Sequence, residues 1–229
     1  WLIPVDTPKP ADNRYKKQPN KLKQEKLPLP VGVSEYRVAS TQYYYIDKTM
    51  MIKDFLDERP MVSLFTRPRR FGKTLNMDML KTFFEKSDED TSVYFQDKAI
   101  WNCGERYRSY QGKYPVIFVS FKDIKFDSWD LTFEMLKTVI GTEFERHFEL
   151  ANSDKCSEMD KKQYRKIAER EADIVSLSGA FDVLSRMLYR HYGQKAIIII
   201  DEYDIPIQQG HSKGFYDEVV DFMRNLFSG

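Results

Sequence analysis

The fold of this chain is decided by the stretch Met61-Val62-Ser63-Leu64-Phe65-Thr66-Arg67-Pro68-Arg69-Arg70-Phe71-Gly72-Lys73-Thr74. It predicts a strand over residues 61–66, a tight loop and the start of a helix. A phosphate-binding loop needs backbone N–H groups turned toward the anion, a glycine that allows close approach, a lysine for the terminal phosphates and a hydroxyl for Mg²⁺. Gly72, Lys73 and Thr74 supply these parts in that order.

A second stretch, residues 196–204, supports this interpretation. It is an apolar run of buried-strand length that ends abruptly in acidic residues. At such a strand end, Asp201 can face a hydrated Mg²⁺ ion and Glu202 can face an attacking water molecule. The usual phosphate-binding template, G-x-x-x-x-G-K-[ST], has glycine where this chain has Arg67. The prediction of a phosphate-binding loop therefore depends on both stretches together.

Four motifs together resemble one protein family. They are residues 29–33 (LPVGV), 44–49 (YYIDKT), 66–75 (TRPRRFGKTL) and 200–204 (IDEYD). The chain resembles the AAA-ATPase-like domain of mostly bacterial proteins, a P-loop NTPase domain in which arginine is usual at the position of Arg67. The resemblance runs from about residue 27 to the end. It implies ATP and Mg²⁺ as ligands, and it implies a frequent partner, a PD-(D/E)XK-type nuclease domain that follows the ATPase-like part.

The motifs assign site residues by chemistry. Lys73 and Glu202 are the predicted catalytic residues, and Thr74 and Asp201 are the predicted Mg²⁺ ligands. The predicted nucleotide-binding residues are Arg67, Arg69, Arg70, Phe71, Gly72, Lys73, Thr74 and Leu75. An equal alternative for the three arginines is pairing with Asp201, Glu202 and Asp204 in the absence of nucleotide.

Buried strands alternate with amphipathic helices, which predicts a three-layer α/β domain with a largely parallel sheet. The resemblance implies that this domain is of the P-loop NTPase type. Strands are predicted near residues 61–66, 115–121 and 196–201. Three strands are few for such a sheet, so we expect residues 27–229 to be a P-loop domain that is incomplete at its C-terminus. The resemblance implies further strands, and then the nuclease domain, beyond Gly229.

Residues 1–26 form a separate segment, a basic N-terminal arm that contains proline. Seven basic residues stand against three acidic ones, a net charge of +4. We expect this arm to be solvated. The more specific alternative is an arm that binds nucleic acid. The run at residues 161–166 is a second basic candidate for nucleic-acid binding.

Local patterns predict several further features. Tyr43, Tyr44 and Tyr45 favour a short strand, and a helix begins at Asp47, which serves as a cap or as a site residue. Residues 87–113 are charged and rich in turn residues, so we expect a surface excursion. One helix should begin at Ser128, and another should end at Gly193. A helix along residues 215–226 runs to the end.

Composition excludes some classes of function. The 36 basic and 35 acidic residues give a net charge of +1, so no global attraction to nucleic acid or to a membrane surface is expected. No run approaches the roughly 18 apolar residues of a membrane span. Cys103 and Cys156 are interpreted as buried, reduced thiols of a cytoplasmic protein. His147, His191 and His211 are interpreted as surface or helix-end residues.

Three functional hypotheses follow. The first is an ATP-binding, Mg²⁺-dependent ATPase that acts as a nucleotide-driven switch for an attached effector. The second is a non-catalytic or degenerate nucleotide-binding module in a nucleic-acid-processing protein, and the third is a nucleic-acid-binding accessory domain. No guanine-recognition motif of the N/T-K-x-D type is present, which favours ATP over GTP.

Overall fold

A computed structural model of the chain describes residues 27–65 and 71–228. These residues form two strands, ten α-helices and three 3₁₀ helices. The strands are β1 (Val116–Ser120) and β2 (Ile197–Asp201). The helices are α1 (Tyr36–Gln42), α2 (Met50–Glu58), α3 (Lys73–Phe84), α4 (Glu105–Arg108), α5 (Trp129–Arg146), α6 (Glu158–Ala168), α7 (Ile174–Ser178), α8 (Ala180–Tyr192), α9 (Asp204–Lys213) and α10 (Tyr216–Leu226), and the 3₁₀ helices are Thr91–Tyr94, Ala99–Cys103 and Phe148–Asn152. The predicted arm at residues 1–26 lies outside the described residues.

The strands β1 and β2 pair in parallel. Their register runs from Val116 opposite Ile197 to Ser120 opposite Asp201. Both strands read as nearly continuous apolar runs, as expected when a parallel sheet is covered on both faces. The strands predicted near residues 115–121 and 196–201 are therefore confirmed, and so is the mixed α/β class.

Helices pack against both faces of this strand pair. Ile117 and Val119 point into a core that they share with α5, α6, α8 and α10. Val116 and Ile199 point into a second core that they share with α1, α2 and α3. Successive side chains of a strand point to opposite faces of the sheet. Two adjacent apolar residues of one strand therefore pack into two different cores.

The strand predicted at residues 61–66 is wrong for its described part. Residues 61–65 form no strand, and the side chains of Val62 and Leu64 are 86% and 66% exposed. Among the described residues the sheet holds two strands, neither of which pairs with this segment. Strand propensity depends on packing against neighbours, so an apolar run without a hydrogen-bonded partner does not form a strand.

The predicted strand at Tyr43–Tyr45 is also wrong. These residues form no strand, and the ring of Tyr45 packs edge-to-face on Tyr36 with centroids 5.4 Å apart. The same aromatic group continues into residues 87–113, where Phe95 stacks on Tyr36 at 5.0 Å. Phe95 and Ile100 are fully buried and belong to the second core. Most other residues of this segment are exposed or partly exposed, so the predicted surface excursion is confirmed for the larger part of the segment.

Helix ends follow the capping residues closely. The Ser128 hydroxyl accepts a hydrogen bond from the backbone N–H of Leu131 at the start of α5, and Gly193 ends α8 with φ of 71°. Both predictions are confirmed. The helix expected from Asp47 begins at Met50 instead, with Thr49 as its N-cap.

Asp47 connects the turn before α2 to Ala99 through a hydrogen bond. Its Oδ1 accepts hydrogen bonds from the backbone N–H and the hydroxyl of Thr49, at 2.8 and 2.7 Å. Its Oδ2 accepts a bond from the backbone N–H of Ala99 at 2.7 Å. Burial favours the neutral acid, but these hydrogen bonds outweigh it and lower the pKa of Asp47.

A buried ionic network lies beside the start of β1. His147, at the end of α5, places Nε2 at 3.3 Å from Glu143 Oε1 and Nδ1 at 3.7 Å from Glu149 Oε1. Arg146 also pairs with Glu143 and with Glu85. The interpretation of His147 as a helix-end residue is confirmed, and the structure adds two carboxylate partners, Glu143 and Glu149. Burial alone would lower the pKa of His147, yet the hydrogen bonds to Glu143 and Glu149 raise it above 6.5.

Cys103 and Cys156 are both free thiols, as predicted. Cys156 is buried, whereas Cys103 is partly exposed. In residues 27–65 and 71–228, no helix combines the length and the apolar character that crossing a membrane requires.

Close packing of α5 on α6 generates a first prediction. A Cβ at Gly141 would lie 2.9 Å from the backbone carbonyl oxygen of Ile167. We expect Gly141→Ala to lower the free energy of unfolding by about 1–3 kcal/mol, because a backbone oxygen cannot move aside as a flexible side chain can. Urea denaturation measures the change.

Gly179→Ala is the matched control, since its Cβ would lie 3.9 Å from the nearest atom. Its effect should stay within about 0.5 kcal/mol. Equal stability of the two variants would contradict the close approach at Gly141.

The pH dependence of stability gives a second prediction. A histidine whose pKa is raised in the folded state stabilises the fold below the unfolded pKa, and that contribution is lost as pH rises through the folded pKa. We therefore expect the free energy of unfolding to fall as pH rises above 6.5, through loss of the proton on His147. His147→Gln should remove this part of the slope, measured by urea denaturation at a series of pH values.

His211→Gln is the control, because His211 is exposed. It should keep the wild-type slope. A slope that His147→Gln leaves unchanged would show that the fold does not raise the pKa of His147.

Candidate functional site

The helix α3 begins at the predicted loop. Gly72 is its N-cap, with φ of 72° and ψ of 26°, a left-handed conformation that glycine adopts without the cost that a Cβ imposes. The first N–H groups of a helix have no partner within the helix, and they carry the positive end of its dipole. The start of α3, at Lys73 and Thr74, is therefore suited to an anion.

The strand β2 ends at the predicted acid. Asp201 is the last residue of β2, opposite Ser120, and its side chain is 1% exposed. The apolar residues of both strands hold this carboxylate at the carboxyl edge of the sheet. In open α/β sheets, ligands bind at that edge.

The two stretches meet in space. The Thr74 hydroxyl donates a hydrogen bond to Asp201 Oδ2 at 2.7 Å, across 127 positions of sequence. Lys73 Nζ lies 3.8 Å from Asp201 Oδ1 and 3.5 Å from Glu202 Oε1. The predicted convergence of Lys73 and Asp201 is confirmed, while the roles of these residues in binding and catalysis stay predictions.

Asp201 has one oxygen that lacks a hydrogen bond. Oδ1 is buried without a donor among the described residues, and Lys73 Nζ at 3.8 Å is too distant to serve as one. A buried carboxylate oxygen without a donor costs about 1–3 kcal/mol or more. The position is therefore suited to a cation that comes closer than the lysine does.

The oxygen atoms of Asp201 and Thr74 fit Mg²⁺. This ion prefers hard oxygen ligands, and it is usually held by one or two carboxylates together with substrate phosphates and water. Among residues 27–65 and 71–228, no group of three or more His, Cys, Asp or Glu side chains could hold a metal ion. The protein oxygens present would thus leave most of the coordination to water and phosphate.

Glu202 has an unusual backbone conformation. Its φ is 54°, in the left-handed region, directly between the end of β2 and α9. For a residue with a Cβ this conformation costs roughly 1–2 kcal/mol. Strain of this kind concentrates at functional sites, where the surrounding structure maintains it. Here it accompanies a side chain that lies beside Lys73.

The remaining predicted site residues differ in what the structure shows. Arg67, Arg69 and Arg70 lie outside the described residues. Phe71 is 62% exposed, and Leu75 packs against the second core. Asp204, at the first position of α9, accepts a hydrogen bond from Gln208 at 2.8 Å, a local contact within the helix.

Sequence reasoning missed one residue beside the loop, Lys48. A Cβ built on Gly72 would have Lys48 Nζ as its nearest neighbour, at 3.8 Å. The signal was in the sequence, since Lys48 belongs to the YYIDKT motif that carries the family resemblance. The chemistry of the residues in that motif does not by itself indicate that Lys48 lies near Gly72.

A cavity of about 340 Å³ lies at the opposite, amino edge of β1. Arg146, His147 and Tyr192 line it, and each of them already bonds to a glutamate. Because these polar groups are satisfied within the protein, the cavity is a weaker candidate than the carboxyl edge.

Comparisons with known proteins find one similar protein and one family. The chain is 25% identical over 204 residues to a protein of Azotobacter chroococcum mcd 1 named "Uncharacterized protein in vnfD 5'region". The alignment covers 87% of this chain and 34% of that protein, so the chain spans about a third of the length of its relative. No solved structure matches the chain.

The model of one protein family, AAA-ATPase-like, described as a predicted AAA-ATPase, matches residues 30–229. The match takes in the loop before α3, the end of β2 and the YYIDKT motif. The chain belongs to the AAA-ATPase-like family.

Proposed function

We propose that this chain is an ATP-binding domain of the P-loop type that hydrolyses ATP with Mg²⁺ and acts as a nucleotide-driven switch for an attached effector. One observation carries the proposal: the hydroxyl of Thr74, at the start of α3, bonds to Asp201 at the end of β2 at 2.7 Å. The two motifs to which the proposal assigns complementary roles in phosphoryl transfer thus lie next to each other. Family membership supports nucleotide binding in the same region.

Binding would use the start of α3. The backbone N–H groups of Gly72, Lys73 and Thr74 would bind the β-phosphate, and the Lys73 amine would bridge the β- and γ-phosphates. Asp201 and the Thr74 hydroxyl would hold Mg²⁺, which neutralises charge on the phosphate oxygens. Lys73 would then exchange its present carboxylate partners for phosphate oxygens.

Hydrolysis would use Glu202. Its carboxylate would accept a proton from water as the water oxygen bonds to the γ-phosphorus, and the bond from that phosphorus to the bridging oxygen of ADP breaks. The products are ADP and inorganic phosphate. Lys73 Nζ lies 3.5 Å from Glu202 Oε1, and this amine would leave the carboxylate when it turns to the nucleotide.

A non-catalytic module is the second candidate, and one observation favours it. Lys73 lies within ion-pair distance of both Asp201 and Glu202, so the charge of the lysine is offset without a ligand. In such a module the pairing would be permanent. Mg·ATP would then leave the melting temperature unchanged, whereas binding to the folded state must raise it.

Nucleic-acid binding has less support. In the basic run at residues 161–166, the ring of Tyr164 is buried and its hydroxyl donates to the backbone carbonyl of Phe144 at 2.6 Å. Lys161 pairs with Glu158 at 2.9 Å. This run therefore lacks the exposed aromatic ring on which a base could stack.

The third prediction tests binding. Lys73→Ala should abolish the rise in melting temperature that Mg·ATP produces in the wild type, because the variant loses the cation that binds the terminal phosphates. At 100 times the dissociation constant, the wild type should gain about 2.7 kcal/mol of stability. Thermal denaturation over a range of ATP concentrations measures both.

Lys81→Ala, two turns further along α3, is the control and should bind as the wild type does. Circular dichroism of the Lys73 variant checks that the fold survives. Unchanged ATP affinity in Lys73→Ala would end this proposal.

The fourth prediction separates binding from turnover. Glu202→Gln should bind Mg·ATP within about threefold of the wild type and lose about 10²-fold or more in the rate of phosphate release, because an amide cannot accept the proton of water. Isothermal titration calorimetry and a phosphate-release assay provide the two measurements.

Glu218→Gln, on the exposed side of α10, is the matched control. It should change neither quantity. If the wild type binds Mg·ATP but releases no phosphate, the non-catalytic candidate replaces the ATPase.

A further inference from the structure

The turn that joins Tyr45 to α2 lies beside Gly72, the residue at which α3 begins. Lys48 is the side chain that makes the approach, and its Nζ would lie 3.8 Å from a Cβ at Gly72. Gly72 is the residue whose amide opens the proposed phosphate site. A second lysine amine, 25 positions before Lys73, is thus held next to that site.

The backbone on both sides of Lys48 is fixed. Asp47 bonds to Thr49 and to the backbone N–H of Ala99, as described above. Thr49 is fully buried, and its hydroxyl oxygen accepts a bond from the backbone N–H of Ile100 at 3.2 Å. Since both neighbours are tied to the 3₁₀ helix Ala99–Cys103, Lys48 is presented from a rigid turn rather than from a mobile loop.

The charge of Lys48 lacks a partner in the described part of the chain. Its side chain is half-buried, and within residues 27–65 and 71–228 it forms no ion pair, whereas Lys73 has two. Both oxygens of the adjacent Asp47 are already occupied. A cation next to the positive end of a helix dipole is unfavourable unless an anion offsets it.

We propose that Lys48 binds the phosphate chain of the nucleotide as a second cation, opposite Lys73. This inference rests on the proposed function, because it assigns a further residue to the same site. An anion held by the start of α3 would lie next to Gly72, within reach of the Lys48 amine. The bound phosphate would neutralise the charge of Lys48, which has no carboxylate partner among the described residues.

The fifth prediction tests this assignment with Lys48→Met, which keeps the length of the side chain and removes its charge. We expect the affinity for Mg·ATP and Mg·ADP to fall about 10- to 100-fold, as for the loss of a hydrogen bond to a charged group. Lys48→Arg should restore most of the affinity, because it restores a cation. Isothermal titration calorimetry with the whole chain measures the dissociation constants.

Lys195→Met is the matched control. Lys195 is exposed and precedes β2, at the opposite edge of the sheet from Asp201, so its loss should leave the affinity unchanged. The melting temperature of each nucleotide-free variant separates a loss of contact from a loss of fold. A purely structural role for Lys48 would lower that temperature, and Lys48→Arg would not rescue binding.

A second measurement uses the wild type alone. Acylation of lysine amines by an N-hydroxysuccinimide ester, read by mass spectrometry, should slow at Lys48 when Mg·ATP is present and stay constant at Lys195. Equal labelling of Lys48 with and without ATP, or wild-type affinity in Lys48→Met, would overturn the inference. If the wild type binds Mg·ATP and Lys73→Ala does not, such a result would refute only the role of Lys48. A wild type that binds no ATP would refute the proposed function and the role of Lys48 with it.

Discussion

The hydrogen bond from the Thr74 hydroxyl to Asp201 holds the start of α3 against the end of β2. Asp201 is nearly fully buried, so its charge depends on that hydroxyl and on the nearby amine of Lys73. Removing a charged group from water is unfavourable unless other groups compensate it. The site therefore requires its acid, its lysine and its hydroxyl together, and the packing of α3 against the sheet brings them together.

Charged side chains cluster at both edges of the strand pair, but the two clusters differ in whether their polar atoms have partners within the protein. At the amino edge, Arg146 and His147 are satisfied by Glu85, Glu143 and Glu149, so that cluster stabilises the fold. At the carboxyl edge, Asp201 keeps an oxygen without a donor. Unsatisfied polar groups in a native structure are exceptional and call for a partner that is missing. This contrast is the reason for proposing the functional site at the carboxyl edge.

Several features could be predicted because their causes are local. Uninterrupted apolar runs marked β1 and β2, and Ser128 and Gly193 marked helix ends through hydrogen-bonding and backbone preferences that act within a few residues. The meeting of Lys73 and Asp201 could also be predicted, because the order of the two motifs implied one sheet edge. Residues 61–65 show the limit of such reasoning, since an apolar run becomes a strand only when a neighbour supplies hydrogen bonds and a covering face.

The sequence by itself determined the chemistry of the site: which side chains carry charge, which backbone position requires glycine, and which apolar runs enter the sheet. Only the tertiary structure decided which distant groups share an environment. The burial of Phe95, the pairing of Arg146 with Glu85, and the position of Lys48 beside Gly72 were settled there. The physical reason is that burial and charge compensation depend on neighbours brought together by packing, and most of those neighbours lie far apart in the sequence.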